Sequence, residues 1–198
     1  MSLKTKVIIN EITNLSDARY CAGMGVDYIG FRIDPGHSKY VDLANFTDIT
    51  NWITGINFIG ESSIVINKDK IDYNVSQLLI DDISLLSEYE GKPTMWSIDI
   101  DQVIEVQQSI IEYSSKISEL ILSGNEEELT TENKKIITEL SNDFDVYLSF
   151  GISSETVSHM IQELPIKGIA LKGSDEIRPG FKDYDELADI LEALEEDY

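Results

Sequence analysis

The sequence predicts an α/β fold, a compact single-domain (β/α)8 barrel of the TIM type over residues 1–198. Three observations lead there. Short apolar runs rich in β-branched residues alternate with segments of helical periodicity. The alternation recurs eight times, and no linker or low-complexity stretch interrupts the 198 residues. Strict β/α alternation implies parallel strands with helices outside them. Periodicity alone fits both an open sheet and a closed barrel, and eight units favour closure. The length suits one domain near the small end of such barrels, which start at about 200 residues.

In chain order, the apolar run 7–12 is the first strand. Asn14, with Asp17 three residues on, caps a helix over 18–24 that Gly23 and Gly25 close. Residues 28–33 form the second strand and 41–53 a helix, followed by a strand at 57–60. A weak helix is expected around 64–71, then a buried strand at 74–80 and a helix at 83–89. Pro93 opens a strand to 100, and Val103, Val106, Ile110 and Ile111 mark a helix over 102–114. The later units are a strand at 119–122 with a helix at 131–140, and a strand at 146–150 with a helix from Ser153 to 164. A last strand at 168–171 precedes a helix over 183–195, where Asp183 and Glu186 have capping-box spacing.

Thirty-seven acidic against fifteen basic residues give a net charge of −22. That field repels phosphate backbones and anionic lipids, so neither nucleic acid nor a membrane surface is an expected partner. Its simplest meaning is a solubilising acidic surface. No apolar run approaches the roughly 20 residues of a membrane span. Residues 1–6 are not followed by the apolar stretch of a secretory signal, and a cytoplasmic location is expected. One cysteine, Cys21, rules out an internal disulfide framework. With the two scattered histidines, His37 and His159, it offers no zinc-ligand pattern, so no metal and no cofactor are expected.

Barrels of this class carry their chemistry at the C-terminal ends of the strands. That rule selects Asn10 and Glu11, 32–39, Glu61, 79–82, Asp99 and Asp101, 123–125, Phe150 and Gly151, and 172–176.

Several of these segments resemble the phosphoribosylanthranilate isomerase family. Val7-Ile8-Ile9-Asn10-Glu11-Ile12-Thr13-Asn14 is similar to that family's Val-Lys-Ile-Cys-Gly-Ile-Thr-Asn. Gly30-Phe31 stands where the family ends its second strand with Gly-Phe. Pro35 and Ser38-Lys39-Tyr40-Val41 resemble Tyr-Pro-Lys-Ser-Pro-Arg-Tyr-Val, and Val75-Ser76-Gln77-Leu78-Leu79-Ile80-Asp81 resembles Val-Val-Gln-Leu-His-Gly-Asp. Glu176-Ile177-Arg178-Pro179-Gly180-Phe181-Lys182-Asp183 matches the closing Glu-x-x-Pro-Gly-x-Lys-Asp at the same spacing, the most specific of the set.

The resemblance implies the family reaction, an Amadori rearrangement of an aminoaldose to an aminoketose. It needs a general acid to open the ribose ring and a general base to take the C2 proton. The base position, Cys in the family, is Asn10 here, and an amide has no usable basicity. The acid position, Asp in the family, is Ser123, a hydroxyl with no ionisable partner in sequence. The Arg expected on the substrate carboxylate is Lys39, which keeps charge but loses the bidentate fork. Gln77 aligns as a further substrate contact. Gly151, Lys172, Gly173 and Ser174 are the remaining candidates for a phosphate or other anionic group, although Phe150 replaces a family glycine and Glu126-Glu127-Glu128 stand near the phosphate loop. The reading is therefore an isomerase-like barrel with degraded or lost activity, taking a small phosphorylated or anionic ligand at its C-terminal rim. The alternative is a non-catalytic barrel that binds a small molecule or a partner.

Asp99 and Asp101 lie two apart on one expected strand and so share a face. With Glu61 and Glu11 they suggest an acidic pocket for a cation or a hydroxylated ligand, or simply exposed acids. His37 reads as a loop residue, Cys21 as a packed small hydrophobe, and Trp52 and Trp96 as packing.

Overall fold

A computed structural model describes residues 2–65, 73–89, 91–117, 119–125, 129–173, 176–178, 181–182 and 185–196. Among the described residues there are eight barrel strands, each but β3 followed by a helical segment: β1 Lys6–Asn10, β2 Tyr28–Arg32, β3 Asn57–Ser62, β4 Gln77–Ile80, β5 Thr94–Asp99, β6 Glu119–Ser123, β7 Asp145–Leu148 and β8 Gly168–Lys172. All are parallel, and the sheet closes in the order β1 to β8, with β1 paired to β8 from Lys6↔Gly168 to Asn10↔Lys172. The α-helices are α1 Leu15–Gly23, α2 Leu43–Thr50, α3 Gln107–Tyr113, α4 Thr131–Leu140, α5 Val157–Glu163 and α6 Asp185–Ala193. The expected closed barrel is what forms.

Local chemistry sets the helix starts. The Asn14 side chain accepts from the Asp17 N–H at 3.0 Å, Asp42 from Asn45 at 2.8 Å, and Thr130 from Asn133 at 3.1 Å. Each satisfies one of the donors left unpaired by the first helical turn.

The helix expected at 83–89 is a 3-10 helix, Ile83–Tyr89. The helix expected at 102–114 also divides. The Asp99 carboxylate accepts from the Asp101 N–H at 3.0 Å and starts a 3-10 turn, Ile100–Gln102, before α3 begins behind Val106, which has no capping side chain. Ser153 and Thr156 spend their side chains on each other's N–H groups, so α5 begins at Val157. An antiparallel pair, β9 Glu176–Arg178 and β10 Phe181–Lys182, was not expected from the sequence. Most of the weak helix around 64–71, and Asp183 with its cap, lie outside the described residues.

Two apolar layers result. Between strands and helices, Phe31, Phe46, Phe58 and Tyr73 meet edge to face, with Phe31–Phe46 and Phe46–Tyr73 centroids both 5.1 Å apart. Inside the barrel, Ile8, Ile59, Leu79, Met95, Ile121, Tyr147 and Ala170 form a separate buried cluster with Tyr28 packed on it. Each strand contributes one residue to this plug, which leaves no pore. Among the described residues, no helix is long and apolar enough to cross a membrane.

Gly168 makes closure feasible. A Cβ there would overlap the Lys6 carbonyl oxygen and stand 2.8 Å from its carbon. Gly168→Ala should destabilise the chain by about 1–3 kcal/mol through forced separation of β1 and β8. Urea unfolding checks this, and an unchanged midpoint would mean that the seam carries little of the stability.

Candidate active site

Side chains alternate along a strand, so the residue two beyond each plug residue points into the barrel again, one layer nearer the C-terminal rim. Applied strand by strand, this gives Asn10, Gly30, Glu61, Asp81, Ser97, Ser123, Ser149 and Lys172. The layer is polar throughout, apart from Gly30. All of its side chains line a cavity of about 190 Å³, joined there by Glu11 and Arg32.

Glu61 is the centre of this layer. It is 1% exposed. The register that pairs Arg32 with Glu61 sets the two side by side, with Nε 3.3 Å from Oε2 in an ion pair that lacks hydrogen-bond alignment. The Glu11 N–H donates to Oε1 at 2.8 Å. Glu11 has φ +61°, alone among the described non-glycine residues in the left-handed region. That conformation costs roughly 1–2 kcal/mol, and it occurs where the resembled family has Gly. Gly30 makes the room: a Cβ there would overlap Glu61 Oε1 and stand 2.8 Å from Asn10 Oδ1.

Burial raises the Glu61 pKa from 4.5 to about 7, against the pull of the Glu11 N–H and the Arg32 charge. The Glu11 carboxylate raises it further and Lys172 opposes. Arg32 is shared. Its Nη1 donates to Ser63 Oγ at 2.7 Å and lies 3.6 Å from Asp34, while Ser63 Oγ donates to Asp81 at 2.7 Å. Asp34 in turn accepts from Ser62 Oγ and the Ser63 N–H. Asn10 Oδ1 is buried and has no donor.

The structure brings Asn10, Ser123 and Lys172 into one cavity. Ser123 Oγ donates to the Ile98 carbonyl at 3.4 Å. Gly151, Lys172 and Gly173 line a neighbouring cleft of about 630 Å³ between β7, β8 and α6, together with Asp185 and Glu186. The Gly173 N–H donates to the Asn10 carbonyl at 2.8 Å, so it is not available to an anion. Ser174 lies outside the described residues.

Other expected residues stand elsewhere. Gln77, two residues before the plug residue Leu79, lies on the opposite side of the plug, its Nε2 2.9 Å from Met95 Sδ. Lys39 is in the loop after β2 and does not line the cavity. Asp99 and Asp101 do not share a strand face, because β5 ends at Asp99 and its carboxylate caps the next turn. The acidic pocket thus contains Glu61, Glu11 and Asp81 without them. Among the described residues, no group of three His, Cys, Asp or Glu could hold a metal ion.

Sequence reading placed Glu61 at the rim but missed its burial and its partner Arg32. The signal was available in the count of two from Ile59 and in the Gly30 gap beside it.

Fold and rim together define a (β/α)8 barrel with a buried glutamate–arginine centre at the C-terminal ends of its strands. The N-(5'-phosphoribosyl)anthranilate isomerase of Aquifex aeolicus is 24% identical over 200 residues, covering 94% of this chain and 96% of that protein. The phosphoribosylanthranilate isomerase of Thermotoga maritima superimposes with a TM-score of 0.76 at 17% identity, over 96% of this chain and 98% of that one. The Thermus thermophilus enzyme gives 0.73 at 17% identity with the same coverage. No protein-family model matches. Over nearly its whole length the chain is thus similar, at low identity, to the phosphoribosylanthranilate isomerases.

The raised pKa of Glu61 has a consequence for stability. Below about pH 4.5 the carboxyl is protonated both folded and unfolded, and its contribution to stability is complete. As pH rises to about 7 the unfolded chain ionises first and that contribution is lost, after which it stays constant. Glu61→Gln should therefore flatten the fall in stability between pH 4.5 and 8 by about 1–3 kcal/mol, read by urea unfolding at both pH values. An identical pH dependence in both proteins would show that Glu61 titrates normally.

Proposed function

We propose that the chain is a phosphoribosylanthranilate-isomerase-like barrel that performs the family's aminoaldose-to-aminoketose rearrangement at a strongly degraded rate. The observation that carries this reading is the pair Asn10 and Ser123, an amide and a hydroxyl at the family's base and acid positions, both lining the rim cavity. A positioned acid or base contributes about 100- to 10,000-fold to such a reaction, so losing both removes most of the chemistry. The anion end is weakened too. Lys172 shares the larger cleft with Asp185 and Glu186 and lies 4.0 Å from Glu11.

The partner this reading calls for is a small phosphorylated or anionic ligand at the C-terminal rim, with no nucleic acid, membrane, metal or cofactor, in the cytoplasm. The acidity of the chain, −22 overall, supports the exclusion of polyanions. The same two substitutions also favour a second reading, a non-catalytic barrel that only binds such a ligand.

The test is loss of anthranilate fluorescence on freshly generated phosphoribosylanthranilate, with the Aquifex aeolicus relative alongside. The expected kcat/KM is at least about 100-fold below that of the relative. Comparable turnover would overturn the degraded reading, and no turnover from a folded protein would favour the non-catalytic one.

A further inference from the structure

We propose that Glu61 is the proton-transfer residue of this rim, standing in for the base that position 10 no longer supplies. The inference rests on the reading above, that the chain retains the family reaction at a low rate.

Position carries the argument. Glu61 and Asn10 occupy the same inward-facing layer of the barrel, and the missing side chain of Gly30, on the strand between them, lets Glu61 Oε1 and Asn10 Oδ1 both come within 3 Å of where a Cβ would stand. A group that a base at position 10 would reach therefore lies beside the Glu61 carboxylate. Glu61 lines the cavity although it is closed to bulk water. The hydrogen bond from the Glu11 N–H and the ion pair with Arg32 fix its orientation and leave lone pairs on both oxygens. Asn10 Oδ1, buried without a donor, marks where a ligand hydroxyl or amine completes the cavity.

The chemistry balances. The Glu61 carboxylate takes the proton from the carbon beside a protonated imine. The C–H electron pair becomes the C=C of an enol-amine, and the imine nitrogen gains the electrons of the old C=N bond. Protonation at the neighbouring carbon and loss of the enol proton give the aminoketone, with no oxidant or reductant. A base for this step works best when its pKa lies near the working pH, and Glu61 titrates at about 7. The charged and titratable groups that face it are Glu11 after β1, Arg32 on β2 with Asp34 beyond it, Asp81 after β4, and Lys172 on β8.

A purely structural role, as the counter-ion of Arg32, makes different predictions. The experiment compares wild type, Glu61→Gln, Glu61→Asp and the double variant Asn10→Cys, Ser123→Asp in the fluorescence assay, each checked for an intact fold by circular dichroism. Wild type should turn over slowly, with kcat rising to a plateau above about pH 7. Glu61→Gln should lose at least about 100-fold in kcat with KM little changed, and should lose the pH rise with it. Glu61→Asp should keep part of the rate and the pH rise. Wild-type turnover in Glu61→Gln, or a slow Glu61→Gln enzyme with the pH rise intact, would overturn the proposal. So would a wild type that shows no turnover. In that case the low-rate reading falls with it, whereas wild-type turnover that Glu61→Gln leaves unchanged removes the Glu61 role alone; conversion by the double variant would then show that the rim still accommodates the family substrate.

Discussion

Closure of the sheet between β1 and β8 is the constraint on which the rest of the molecule depends. Five consecutive residue pairs join these strands, which is feasible because Gly168 lets its strand approach the Lys6 carbonyl. Once the sheet closes, every strand must send alternate side chains into a space of fixed diameter. Ile8, Ile59, Leu79, Met95, Ile121, Tyr147 and Ala170 fill it in one layer, the large Tyr147 facing partners as small as Ala170. The next layer is then fixed in position, whatever its chemistry. Glu61 is buried for this reason: strand register delivers it into the interior.

Burying a carboxylate is costly unless opposite charge and hydrogen bonds compensate. Here the compensation is partial. The Glu11 N–H is aimed at Oε1 only because Glu11 takes a left-handed conformation. The one guanidinium at the site is divided among Glu61, Asp34 and Ser63. Desolvation therefore outweighs the pull of Arg32, and the carboxyl titrates near neutrality. A strained backbone, a missing side chain at Gly30 and a shared arginine all serve one carboxylate. Functional sites commonly show this pattern of local cost, whereas the capped helices and the apolar plug follow local rules without strain.

The barrel was legible in the sequence because its signals are local and repeated. β-Branched runs, helical periods and the cap at Asn14 each act within a few residues. The errors arose where one side chain redirected the backbone. Asp99 was read as a rim ligand and instead caps a turn, which removed both the long helix over 102–114 and the shared face with Asp101. Gln77 was read through resemblance, and counting residues from the plug puts it at the other end of the barrel. Asn10 and Ser123 could be located on the rim cavity because each directly follows a strongly apolar run. The Arg32–Glu61 pair was not legible as a pair. It depends on the β2–β3 register, which brings together residues 29 apart in sequence.

The relation to the isomerases can be close in fold and loose in chemistry for the same reason. Plug residues need only be apolar and of suitable volume, so about a quarter of the residues in common suffices to keep the barrel. Rim residues need particular functional groups, and it is there that Asn10, Glu11, Lys39 and Ser123 depart from the family pattern. Electrostatics then decides what the rim accepts. With every group ionised, Glu11, Glu61 and Asp81 outnumber Arg32 and Lys172 around the cavity, inside a chain that is already at −22. A proton on Glu61 removes that imbalance. In the proposed role, the same titration that readies Glu61 to exchange a proton also sets the charge balance of the cavity.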